Sequence, residues 1–200
     1  MVEPGDVKEG SSALYYFSRG KSPLQNLSAT VFSIAYLAVP LSCMIRIAYF
    51  FDEGSAIDGR WWLLYLLVVT KMTDTGGFFI GKKFGKEKLA PYISPKKTKE
   101  GAIGGFVAAI LSSVGLMFLA SICDPGAFGL SLWQSIWLGA GIGLCAQIGD
   151  LSESLLKRDG GIKDSNQMPG LGGMLDIVDS LVFSAPLVYI FLKVFMDKSL

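Results

Sequence analysis

AIGGFVAAILSSVGLMFLASIC, residues 102–123, runs for 22 positions without a charged side chain. As a helix rising 1.5 Å per residue it covers about 33 Å, enough for the hydrocarbon core of a bilayer. Length excludes the strand alternative, because a transmembrane strand takes about 10 residues of alternating polarity. Working outward, residues 24–51, 61–80, 132–149 and 177–196 read the same way. The expected fold is therefore all-α, a polytopic transmembrane helical bundle of about five spanning helices. Residues 24–200 form one membrane-embedded domain behind a polar segment, residues 1–23.

Composition agrees with this reading. Over 200 residues, 51% are hydrophobic, 18% are charged and the mean hydropathy is +0.47, unlike an ordinary soluble domain. Eighteen Lys and Arg against seventeen Asp and Glu leave a formal charge of +1, so no global basic field recruits nucleic acid. The chain has no histidine, which removes imidazole bases, Ser-His and Cys-His nucleophilic pairs, and every zinc site needing a His ligand. Any chemistry falls to carboxylates, hydroxyls, lysines, backbone and bound metal. Cys43, Cys123 and Cys145 lie in or beside apolar stretches without Cys-x-x-Cys spacing and read as small hydrophobes. The N-terminus carries Glu3, Asp6 and Glu9 and lacks the basic and apolar regions of a cleaved signal peptide. The first apolar run is expected to stay in the mature protein.

The connections differ in charge, and that difference sets an orientation. GKKFGKEKLAPYISPKKTKEG, residues 81–101, carries seven lysines, and Lys157, Arg158 and Lys163 follow the fourth window. The alternate connections, residues 51–60 and 124–131, are acidic or nearly uncharged. The positive-inside rule places the two basic loops in the cytoplasm, with the N-terminus beside them through Arg19 and Lys21. Gly101 with Gly105, and Gly139 with Gly143, stand four apart and suit close helix packing.

Ionisable groups in apolar helices need a partner or a task. Lys71 and Asp74 lie one turn apart, so mutual neutralisation and ligand binding both stay open for them. Arg46 reaches water from a helix end and receives no function. GDLSESLLKRDGGIKD, residues 149–164, places Asp150, Glu153 and Lys157 on one helical stripe as it leaves the membrane. Asp176 and Asp179 follow a glycine-rich turn at the start of the last window. Four carboxylates thus converge on one membrane boundary. Oxygen clusters without His or Cys suit hard cations such as Mg²⁺, bound together with substrate phosphates. For any single acid, pairing with Lys157, Arg158 or Lys163 is the better explanation, since solvated charges at loop ends are common. The whole set favours metal, since no cation follows Asp176 and Asp179 until Lys193.

The basic loop supplies the complementary half. ISPKKTKEG, residues 93–101, joins a Ser-Pro turn to Lys96, Lys97 and a hydroxyl just before a helix N-terminus, a setting able to grip an anion such as a polyphosphate. For Lys82, Lys83, Lys86 and Lys88 the preferred reading is an ordinary positive-inside loop or a patch for anionic head groups. No GxxxxGK[ST] pattern occurs, which argues against a P-loop NTPase.

DTGGFFIGKKFGK from Asp74, ISPKKTKEGAIGG from Ile93 and the run from Gly149 to Ser180 together resemble the phosphatidate cytidylyltransferase family, the CDP-diacylglycerol synthases. The last block is similar to the family's C-terminal signature: Ser-x-x-Lys-Arg, then Lys-Asp, a Pro-Gly turn, a Gly-Gly pair and two aspartates three apart. Leu171 stands where the family usually has His, and Ile177 where it has Arg. Family members are commonly longer, with additional helices before the matched region.

The resemblance implies an integral, multi-pass membrane enzyme with a cytoplasm-facing site, joining CTP to phosphatidic acid to give CDP-diacylglycerol and pyrophosphate in phospholipid biosynthesis. It implies Mg²⁺, with room for a second metal ion, on Asp150, Glu153, Asp176 and Asp179. It assigns catalytic roles to Asp150, Asp176, Asp179 and Lys157, and contacts with CTP or lipid phosphate to Asp74, Ser94, Lys96, Lys97, Thr98, Arg158 and Lys163. A site open sideways to lipid is the expected entrance. A homodimer suits the family and the glycine-rich faces, which serve packing within one chain equally well. Two competing readings are a CTP-dependent enzyme acting on a polyprenol-type lipid and a non-catalytic transporter whose acids line a polar pathway. The transporter accounts less well for the two clustered basic motifs.

Overall fold

The computed structural model describes residues 23–51, 57–123, 128–159 and 179–196. Its elements are α1 (Pro23–Ala48), α2 (Gly59–Phe84), β1 (Lys88–Ala90), β2 (Ser94–Thr98), α3 (Lys99–Cys123), α4 (Leu132–Asp159) and α5 (Leu181–Phe195). A helix lies on each of the five apolar windows, and the fold is a helical bundle. Among the described residues three stretches are long and apolar enough to cross a membrane: Leu27–Ala48, Gly59–Phe84 and Lys99–Ile122. α4 is long but ends in a charged turn, and α5 is a shorter apolar helix of 15 residues.

The chain divides into two compact units, Met1–Ala38 and Val39–Leu200. In the described part of the first, α1 sets Phe32 and Tyr36 one turn apart with ring centroids 5.7 Å from each other. The second unit holds the core. Trp62, Tyr65, Leu66 and Val69 of α2 recur at helical spacing and are fully buried. They share one cluster with Leu138 and Ile142 of α4 and with Ala185, Val188 and Leu192 of α5. The outer surface is not that of a soluble protein, since Phe79, Ile103, Leu111, Ile122, Trp133 and Trp137 are all exposed. Such side chains suit acyl chains.

Lipid is as apolar as these side chains, so burial alone does not hold membrane helices together, and close approach through small residues matters more. A methyl group added at Gly101 would come within 2.8 Å of the Gly77 carbonyl oxygen, and one at Gly105 within 2.7 Å of that of Thr73. Across α3 and α4, Gly143 meets the Ala109 side chain and Gly139 that of Ser113, at 2.7 and 2.6 Å. The glycine pairs seen in the sequence therefore set the α2–α3 and α3–α4 distances.

A buried polar chain joins the same helices. Ser113 Oγ donates to the Ser135 carbonyl at 2.5 Å, which leaves Tyr65 as the donor in its 2.5 Å hydrogen bond to Ser113. Ser113→Ala would leave the buried Tyr65 hydroxyl without its acceptor. It is expected to cost about 1–2 kcal/mol, read as a lower unfolding midpoint in detergent.

Three features depart from expectation. α4 does not stop at residue 149 but continues to Asp159, because SESLLKRD contains no helix breaker and Glu153 supports Lys157 at i,i+4. The last helix begins at Leu181, residues 171–178 lying outside the described ones. ISPKKT is not a turn: Ser94–Thr98 is a strand, antiparallel to β1, with Lys88 opposite Thr98 and Ala90 opposite Ser94. The turn lies earlier, where Pro91 with its fixed φ follows Ala90 and the Ile93 N–H donates to the Ala90 carbonyl at 3.2 Å.

Candidate active site

The β1–β2 hairpin, the second half of α2, the start of α3 and the far part of α4 enclose a cavity of about 550 Å³. Asp74, Ser94, Lys96, Lys97, Thr98 and Asp150, all singled out in the sequence, line it. Segments some fifty residues apart in the chain thus present lysines and acids to one space.

Lys97 of β2 reaches across to Asp150 of α4, with its Nζ 2.5 Å from Oδ2. That nitrogen is buried and makes no hydrogen bond of good geometry. An ammonium has three donors, so this ion pair leaves capacity for an anion in the cavity. In α2, Lys71 Nζ lies 3.5 Å from Asp74 Oδ2 and donates to Ser180 Oγ at 3.3 Å, tying α2 to the start of α5. The ion pair expected from the spacing is formed, and Asp74 also lines the cavity.

Beside Asp150 the acids gather. One carboxylate oxygen each from Asp150, Glu153 and Asp179 lies within 4.8 Å of the others, and Glu153 and Asp179 are buried. Glu153 is paired with Lys157 at 2.8 Å. Asp179 accepts the Ser180 N–H and stands at hydrogen-bonding range of Glu153, but no described lysine or arginine forms an ion pair with it. Buried acids facing one another need a shared proton or a cation. Three oxygen donors without nitrogen or sulfur fit a hard divalent ion bound with water and phosphate.

Gly149 makes this approach possible. A Cβ there would fall 2.3 Å from the Asp179 carbonyl oxygen, so only glycine lets α4 touch the backbone entering α5. Side-chain bonds hold the hairpin over the site. Glu100 accepts the N–H groups of Lys86 and Glu87 at 3.0 and 3.3 Å, Lys99 pairs with Glu87 at 2.7 Å, and Arg158 Nε donates to the Ile93 carbonyl at 3.2 Å. Thr98 caps α3, its Oγ1 accepting the Gly101 N–H at 3.1 Å.

The expected residues thus divide. Asp150, Glu153 and Asp179 converge, and Asp74, Ser94, Lys96 and Lys97 face the cavity next to them. Lys157 neutralises Glu153, Arg158 braces the hairpin, and the Thr98 oxygen is engaged in capping. Asp176 and Lys163, with Leu171 and Ile177, lie outside the described residues. Sequence reading missed Glu100, Gly149 and Gln147, whose amide donates to the Ala102 carbonyl at 3.1 Å. A carboxylate two residues after a Thr cap was the available signal for Glu100. No local pattern marks Gly149.

The model of the cytidylyltransferase family matches residues 11–195. A protein named phosphatidate cytidylyltransferase from Chlamydia trachomatis is 38% identical over 181 residues, 88% of this chain and 58% of that protein. Proteins of the same name from Staphylococcus haemolyticus and Staphylococcus aureus are 35% and 37% identical, over 88% and 75% of this chain and 62% and 58% of their own lengths. The chain therefore spans somewhat over half the length of these curated relatives.

Proposed function

The chain belongs to the cytidylyltransferase family, and from that premise we propose that it transfers CMP from CTP to phosphatidate, giving CDP-diacylglycerol and pyrophosphate. The observation that carries the reading is the junction of a cationic cavity with three acids whose oxygens lie within 4.8 Å. Such an arrangement suits phosphoryl chemistry.

An oxygen of the phosphatidate phosphate attacks the α-phosphorus of CTP, a new P–O bond forms, and the bond to the β-phosphate oxygen breaks. The nucleophile is already ionised at neutral pH, so a site without histidine suffices. Lys97 and Lys96 offer positive charge to the phosphates, and Ser94 offers a hydroxyl. Asp150, Glu153 and Asp179 would hold Mg²⁺, which when bound neutralises phosphate charge and aligns the reacting groups. Lys97 and Lys157, by pairing with two of these acids, hold them in place until they are loaded. The charge pattern of the loops supports a multi-pass arrangement with this site on the cytoplasmic side, where CTP arrives from water and the lipid from the leaflet.

Protein purified in mild detergent should convert labelled CTP and phosphatidate into lipid-linked CMP and pyrophosphate when Mg²⁺ is present. Chelation with EDTA should remove the activity, and Mg²⁺ added back should restore it. Turnover unaffected by chelation, or no lipid-linked CMP from folded protein, would overturn the reading.

A further inference from the structure

The lining of the cavity splits by exposure. Thr73, Thr98, Gly101 and Gly105 are buried and form its floor, whereas Phe78, Lys82 and Lys88 are exposed and form its lip. Phe78 is 62% exposed on a helix apolar enough to cross a membrane, and it stands edge-on to the equally exposed Phe79. One turn along, Lys82 Nζ lies 5.7 Å above the centre of the Phe78 ring. Among the described residues Lys82 forms no ion pair, so its ammonium rests on a ring rather than on a carboxylate.

An exposed phenyl ring on a helix apolar enough to cross a membrane is placed to meet acyl chains. A lipid with a phosphomonoester head has use for both groups, since the ring can lie along the first methylenes while the ammonium, one turn nearer the hairpin, meets the phosphate. Attraction to a doubly charged phosphate exceeds a single cation–π contact at an exposed site, so the anion would draw Lys82 off the ring. We infer that Phe78 and Lys82 form the lipid entrance of this cavity, Lys82 taking the head-group phosphate and Phe78 the start of an acyl chain. The inference rests on the proposed function for the identity of the lipid, but its geometry belongs to the lip alone.

The test uses the full chain in phosphatidylcholine nanodiscs containing spin-labelled phosphatidate, together with steady-state kinetics. Wild-type protein should immobilise the labelled lipid. Lys82→Gln should weaken retention about tenfold and raise KM for phosphatidate to match, with KM for CTP unchanged, and Lys82→Arg should restore both. Phe78→Ala should raise KM for long-chain phosphatidate severalfold but not for a dibutyryl analogue, and Phe78→Leu should recover most of the loss. Both side chains are exposed, so folding is not at stake. Unchanged lipid retention in both variants, or a raised KM for CTP instead, overturns the inference. Retention lost in the variants of a protein that makes no CDP-lipid would sink the proposed function and leave the entrance standing.

Discussion

Asp150→Asn is expected to reduce turnover by about 10²–10³-fold while leaving the helical content unchanged. Among the described residues Asp150 is the one acid that belongs both to the carboxylate cluster and to the cavity wall, and it carries the ion pair to Lys97. Replacing it by an isosteric amide removes a charge from the metal-binding set and leaves the buried Lys97 nitrogen without its counter-ion. The first loss weakens electrostatic stabilisation of the transferring phosphoryl group, an effect of about 10²–10³ for a single group. The second loosens the hairpin strand that bears the lysines, so KM for CTP should rise as well. Mg²⁺ titrations of the variant should show a weaker apparent affinity. Wild-type turnover and metal dependence would remove Asp150 from the site.

Gly149→Ala should cost about 10²-fold in activity by a different route, without touching any charged group. The new methyl would lie 2.3 Å from the Asp179 carbonyl oxygen, so the start of α5 must retreat from α4 by about 1 Å to reach an ordinary contact. Asp179 moves with its backbone, and a displacement of that size in a reacting constellation costs about 10²-fold. Gly115 provides the control, since nothing lies within 4 Å of a Cβ there. Gly115→Ala should leave activity intact and, by helix propensity, hold stability level or raise it by up to about 1 kcal/mol. Equal activity of both variants would show that the α4–α5 contact does not position the acids.

Much of this was legible in the sequence because the physics involved is local. Uninterrupted apolar length marked the helices, and spacing of three and four residues put Asp150, Glu153 and Lys157 on one stripe. Glycines at i and i+4 announced close packing, although not which partner each would meet. The hairpin was not legible, since its strands are three and five residues long and rich in lysine, with weak strand propensity. Pairing across the turn and the bonds to Glu100 and Arg158 hold it, and both are tertiary. Lys97 meeting Asp150 across 53 positions, like Gly149 meeting Asp179, has no signature in either segment.

If α4 spans the bilayer in the proposed orientation, it would also act as a ruler. Trp133 and Trp137 are exposed at its start, as aromatic residues at a membrane interface are, and Asp150 follows 17 residues after Trp133 in the same unbroken helix. That separation is about 25 Å, a little less than an average hydrocarbon core. In the proposed orientation, indoles anchored at one interface fix how deep the acids sit at the other. Hydrophobic mismatch then becomes a kinetic variable. A thicker bilayer draws the carboxylates below the head groups, and a thinner one lifts them clear, so turnover in vesicles of graded acyl length should peak where the membrane matches this helix.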